Sequence, residues 1–120
     1  MEFRTRKIVM PAHLNGAGNL FGGQALAWID EEAAVYAACQ LGDSNVVTKF
    51  ISDINFQSPG KLNDIVEIGC DVVNIGRTSI TICCVLRNKT TKRDMLTVDK
   101  MVFVLLDADG KPKEHGLLIW

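Results

Sequence analysis

The sequence predicts an α+β domain in which a strongly curved antiparallel sheet of five to six strands wraps one long central helix. From Gly23 to Leu41 the chain has no proline and no further glycine, and it is apolar or small on nearly every face, the pattern of a helix covered by other structure. From Val46 onward the texture changes to period-two alternation broken by turn-forming residues. The length of 120 residues, with 48% hydrophobic and 22% charged residues, suits a single domain over 1–120, able to bury one core and too short for two.

Each element has its own warrant. Phe3 to Met10 mixes basic and β-branched residues and reads as a first strand, ended by Pro11. A loop with Gly16, Gly18, Gly22 and Gly23 follows. Such density of glycine suits backbone amides that must approach something closely or take positive φ. The central helix comes next and is closed by Gly42-Asp43-Ser44-Asn45. Val46 to Phe56 places Phe50, Ile54 and Phe56 on one parity against Lys49, Asp53 and Asn55, a half-buried strand. Ser58 to Asp64 is a turn. Ile65 to Asn74 alternates Val66, Ile68, Cys70 and Val72 with Glu67, Gly69 and Asp71, and Thr78 to Arg87 alternates Ile80, Ile82, Cys84 and Leu86 with Ser79, Thr81 and Cys83. A polar loop with Lys89, Lys92 and Arg93 leads to a last strand, Met95 to Asp107, apolar on much of both faces. A sheet of this kind is open, and strands with so few protective charges are expected to pair edge to edge in a dimer.

The formal net charge is −1, from 13 basic and 14 acidic residues, so no global field draws nucleic acid or an anionic membrane. An anionic ligand must be met by local groups. No stretch has the length and apolarity of a membrane span, and the opening Met-Glu-Phe-Arg-Thr-Arg-Lys lacks the apolar segment of a secretory signal, so the cytoplasm is the expected location. Cys39, Cys70, Cys83 and Cys84 lie in apolar contexts without metal spacing and read as buried reduced thiols. His13 and His115 are far apart in sequence.

Inside the apolar helix stand three consecutive carboxylates, Asp30, Glu31 and Glu32. At about 100° per residue they cannot all point the same way, so at least one faces the interior or an interface.

Met10-Pro11, Asn15-x-x-Gly18-x-x-Phe21-Gly22-Gly23, Trp28-x-Asp30-Glu31, Val47-Thr48, Phe56-x-x-Pro59 and Gly76-Arg77-Thr78-Ser79, in that order, resemble the hotdog-fold acyl-CoA thioesterases of the cytosolic acyl-CoA hydrolase branch. The most specific piece is the Asn-x-x-Gly-x-x-Phe-Gly-Gly loop with an aspartate seven residues after its second Gly-Gly residue. The resemblance implies a helix held inside a sheet, subunits paired as dimers at minimum and often as larger assemblies of dimers, and an acyl-CoA substrate. It implies no metal or redox cofactor; coenzyme A is only part of substrate and product. It also implies that Asp30 and Asn15 form the catalytic pair across the dimer interface, and that Arg77, Thr78 and Ser79 meet coenzyme A. The chain departs from the family pattern at Asn63-Asp64, where Gly-Asp is usual, at Gly60, where an aliphatic residue is common, and in a short segment after Gly110 that ends Leu117-Leu118-Ile119-Trp120.

The residue chemistry agrees with these roles. Thioester hydrolysis needs a carboxylate to activate water or attack directly, and donors aimed at the developing oxyanion. Asp30 supplies the first as base or nucleophile, and the Gly22 and Gly23 amides at the helix start supply the second with the helix dipole behind them. Asn15 can hold a water or the carbonyl, or serve only as a turn-former. Thr48 lines the site or is simply a β-branched strand residue. A non-catalytic acyl-CoA-binding module is an alternative. So is an acyl-thioester dehydratase or hydratase, although such enzymes use a histidine at the helix and neither histidine lies there.

Overall fold

The protein's structure, a computed structural model, describes residues 1–117; Leu118, Ile119 and Trp120 at the end of the short tail lie outside the described residues. The order is β1 (Glu2–Ile8), a single 3-10 turn (Pro11–His13), α1 (Gly22–Leu41), β2 (Val46–Phe56), β3 (Ile65–Ile75), β4 (Ser79–Asn88) and β5 (Asp94–Leu105). All strand pairs are antiparallel and the sheet order is β1-β3-β4-β5-β2, which leaves β1 and β2 as edges. The fold class and the five strands thus follow the sequence expectation, with boundaries shifted by one or two residues.

Ala25, Ile29, Ala33 and Ala37, four apart along α1, form its buried stripe together with Trp28. They pack against the inward row of the sheet, Ile68, Ile80, Ile82, Cys84, Leu86, Leu96, Val98, Met101 and Phe103. Three alanines in that stripe let the helix axis come close to the strands. Gly42 ends the helix with φ 69°, and its N–H donates to the Ala38 carbonyl at 2.8 Å.

Four expectations change. The helix is not covered on all sides: Ala27, Val35 and Cys39 are exposed, because one five-stranded sheet covers only one side of it. In β2 the row Phe50, Ile54 and Phe56 is not half-buried but open, with Phe50 53% and Phe56 62% exposed. A register shift between Thr48 and Phe50, and a positive φ of 56° at Asp53, break the alternation. An apolar edge strand is therefore left without cover. Of the four thiols, Cys70 and Cys84 are buried but Cys39 is exposed and Cys83 is half-buried. Cys70 and Cys84 are cross-strand partners with sulfurs 3.1 Å apart, and their hydrogen bond together with burial pushes the Cys84 thiol well up.

The fourth change is Glu67, placed by parity on the polar face of β3 yet buried. Its Oε1 accepts from Arg87 at 2.9 Å and from Lys92 at 3.2 Å, Arg6 stands 3.7 Å away, and the Arg87 guanidinium lies 3.5 Å over the Phe3 ring. The carboxylate is covered by its own cations. Burial pushes its pKa up, but the hydrogen bonds from Arg87 and Lys92 outweigh that and hold it below the usual carboxylate value. A lowered folded pKa means that Glu67 stabilises fully above the ordinary carboxylate range and loses that contribution as pH falls through the lowered value. Glu67→Gln should cost about 1.5–3 kcal/mol at neutral pH, the range for hydrogen bonds to a charged group. Thermal melts of the parent and variant should differ at pH 7 and converge in acid; a gap that stays constant with pH would rule out the ionised carboxylate as its source.

Candidate active site

The glycine loop is built around Asn15. Its Oδ1 accepts from the Ala17 and Asn19 amides, both at 3.0 Å, and its backbone N–H donates to the Asn19 carbonyl at 2.8 Å. Asn15 is therefore a turn-former, and Oδ1 is committed to that task. Its Nδ2 has no acceptor among the described residues, and Asn15 borders the cavity at the start of α1.

Phe21 is the residue before α1, and its N–H donates to the His13 carbonyl at 2.9 Å. The Gly22 and Gly23 amides sit in the first turn, where a helix has no internal acceptor for them. At both positions a side chain would crowd an exposed aromatic ring, which would have to move to admit it. A Cβ on Gly22 would come 3.1 Å from the Phe56 ring, and one on Gly23 would come 2.8 Å from the Phe21 ring.

Beside these amides opens a cavity of about 320 Å³. Asn15, Asn19, Gln57 and Ser58 give it a polar side, and Leu20, Ala25, Phe56, Leu86, Met95 and Leu96 an apolar one. The segment Phe56 to Gly60 that borders it is pinned by backbone: the Gln57 amide donates to the Met95 carbonyl at 2.9 Å, and the Leu20 amide to the Gly60 carbonyl at 2.7 Å.

Asp30 lies elsewhere. It is half-buried, does not border this cavity, and its Oδ1 accepts from the Thr48 hydroxyl at 2.9 Å. Eight residues separate it from Gly22, about 12 Å along the helix axis at 1.5 Å per residue. That is too far for both to act on one thioester carbonyl. Glu31 is exposed, and Glu32 is half-buried and accepts from the Thr5 hydroxyl.

The turn before β4 is strapped by the C-terminal segment. Arg77 pairs with Glu114 at 2.6 Å, both exposed; the His115 amide donates to the Arg77 carbonyl at 3.2 Å, and its ring Nε2 lies 3.1 Å from the Ser79 carbonyl. Arg77, Thr78 and Ser79 do not border the cavity. Ser79 is the register partner of Val104, and Val104 of Val47, so this turn shares the Thr48 end of the sheet. The other histidine is also engaged: His13 Nδ1 accepts from the Met10 amide at 2.9 Å, and its ring meets Trp28 edge-on with centroids 4.9 Å apart.

One chain therefore gathers Asn15 and Gly22 at a cavity, with Gly23 next to it in the first turn of the helix, and holds Asp30 with Thr48 apart from it. The sequence did not single out Leu20, Gln57, Ser58 or Met95 as bordering residues, though the Phe56-x-x-Pro59 signal lay among them. The Thr48–Asp30 bond joins residues 18 apart in sequence, where no local pattern reveals a contact.

A single helix on an antiparallel sheet, with a glycine loop feeding free amides at the helix start, is the architecture of hotdog-type thioester enzymes. The thioesterase superfamily matches residues 17–94, and the chain belongs to that family. It is 30% identical over 118 residues to the acyl-CoA thioester hydrolase YciA of Salmonella typhimurium, covering 93% of this chain and 88% of that protein. It is 32% identical to mouse acyl-coenzyme A thioesterase 11 over 90% of this chain, but spans only 19% of the mouse protein. Among solved structures, a hexameric thioesterase from Yersinia pestis superposes with a TM-score of 0.86 at 27% identity, covering 94% of this chain and 93% of that one. The acyl-CoA hydrolase of Staphylococcus aureus, solved with butyryl coenzyme A and coenzyme A, gives 0.82 at 31% identity, over 92% and 66% of the two chains. Variants of that hydrolase with alanine replacing an aspartate, a threonine and an asparagine have also been solved.

Proposed function

We propose that the protein is an acyl-CoA thioesterase that works as a dimer at minimum, within a larger homo-oligomer, with each site shared by two chains. The observation that carries this reading is the separation of the cavity from Asp30 along β2. The cavity borders Phe56 at one end of that strand, and Asp30 is bonded to Thr48 near the other. Pairing β2 with its two-fold copy runs the strands in opposite directions, which brings the cavity end of one chain toward the Asp30 end of its partner. The same pairing covers the open Phe50, Ile54 and Phe56 row.

In such a site the thioester carbonyl accepts from the Gly22 and Gly23 amides and the Asn15 Nδ2. The partner's Asp30, held by Thr48, takes a proton from water as it attacks the carbonyl carbon. Collapse of the tetrahedral intermediate breaks the C–S bond, and the proton returns to the thiolate, leaving the free acid and coenzyme A. Direct attack by Asp30 through an anhydride is the alternative route to the same products. Coenzyme A entering beside Asp30 meets the Arg77 turn, where Thr78 and Ser79 offer hydrogen bonds. Phosphates there would compete with Glu114 for Arg77, an exposed pair that holds it weakly. Among the described residues no helix is long and apolar enough to cross a membrane, and the cytoplasm is the location we propose.

The test is release of free thiol from a panel of acyl-CoAs with short to long chains. Turnover of at least one, unaffected by a chelator, is the expected result. Binding of acyl-CoA without turnover of any would leave a binding module instead.

A further inference from the structure

From the cavity beside Gly22 we infer that it is the acyl chamber, that Met95 closes it, and that the absence of a side chain at Gly60 sets its length for short and medium acyl groups of about four to eight carbons. This rests on the thioesterase reading only in seating the carbonyl at Asn15 and Gly22. The polarity of the walls gives the direction. Asn15, Asn19, Gln57 and Ser58 suit the amide-rich pantetheine, whereas Ala25, Leu86, Met95 and Leu96 offer nothing to a polar group and are all buried. An acyl chain entering past Gly22 therefore runs inward, under the first turn of α1.

The volume sets the class. About 320 Å³ holds roughly ten groups of water size at about 30 Å³ each, part of which the thioester and the end of the pantetheine occupy. What remains of one chain's share of the site fits fewer than about ten carbons, and the wall of Met95 and Leu20 ends its apolar side.

Gly60 is buried, and a Cβ there would lie 2.6 Å from the Met95 Cε and 2.8 Å from the Leu20 Cβ. Met95 can swing away only by moving its flexible end, and the Leu20 Cβ can yield only if its backbone shifts. With an aliphatic residue at position 60 the Met95 tip would have to leave its present place. With glycine, Met95 and Leu20 close over the gap and form one wall. The bare backbone at Gly60 and the position of Met95 are thus two halves of one device.

Binding of non-hydrolysable thioether analogues of acyl-CoA, from two to sixteen carbons, tests this on the whole protein without requiring turnover. For the parent, affinity should rise about fourfold per added methylene and then fall beyond about eight carbons. Met95→Ala removes the side chain beyond Cβ and should move that fall outward by about three carbons, so that the first lengths rejected by the parent bind about tenfold or more tighter. Met95→Leu, which keeps the core filled, should leave the limit within about one carbon of the parent. Gly60→Ala should change the limit without changing affinity for coenzyme A itself; if it fails to fold, the Met95 pair decides alone. A limit that stays fixed in Met95→Ala, or a uniform change at every length and for free coenzyme A, would overturn the assignment. A limit that moves as described while no acyl-CoA is hydrolysed would keep the chamber and remove the thioesterase reading instead.

Discussion

Asp30→Asn should lower turnover by about two to four orders of magnitude while leaving folding and coenzyme A binding near those of the parent, because on the proposed mechanism it removes the base and keeps its shape. The amide can still accept from the Thr48 hydroxyl, so the hydrogen bond at 2.9 Å need not be lost. Glu31→Gln, at an exposed position, should cost far less. On the proposed mechanism Thr48 acts through Asp30, as a positioning residue. Thr48→Val should therefore reduce kcat about tenfold with little change in KM, and Thr48→Ser, which restores the hydroxyl, should recover most of the loss. Initial rates with one well-bound acyl-CoA, alongside circular dichroism and a binding titration, check all four variants. If Glu31→Gln were the more damaging carboxylate change, the helix face used for chemistry would have been misassigned.

The difference between Glu31 and Asp30 also marks how much of this protein was legible in its sequence. Periodicity gave the helix, the five strands and their order along the chain, because alternation and helical spacing are local properties. It could not tell that Phe50, Ile54 and Phe56 stay open in one chain. Apolar alternation marks a face suited to burial and says nothing of whether this chain's own fold covers it. Glu67 was misread for a related reason: polar parity marks the face away from the helix, but Arg6, Arg87 and Lys92 cover that face with their own side chains. The loop motif singled out Asn15, Gly22, Gly23 and Asp30, of which Asn15 and Gly22 border the cavity and Asp30 stands apart from it. The tasks of Asn15 required coordinates, since only they show Oδ1 spent on the Ala17 and Asn19 amides. The cavity walls required them too, since Ala25, Leu86 and Met95 come from three elements that meet only in the fold.

The sharing of the site leads to the second large effect. If Asn15, Gly22 and Gly23 of one chain act with Asp30 of its partner, then Asn15→Ala and Asp30→Ala are each nearly inactive as homodimers, because every site lacks one member. A heterodimer of the two variants differs. Two-fold symmetry puts both lesions in one of its sites and neither in the other, so one site is whole. Random exchange makes half the dimers mixed and half of their sites intact, so an equimolar refolded mixture should recover about a quarter of the parent rate. A site built within one chain would recover nothing, since each chain carries a lesion. The 12 Å of helix between Gly22 and Asp30, set by 1.5 Å per residue, is why recovery is the expected outcome. Exchange must be confirmed independently, by mass labelling of one variant. Confirmed exchange with a rate no higher than the mean of the two variants would exclude the shared site, and the distance from Gly22 to Asp30 would then require that one of these two residues takes no part in the chemistry.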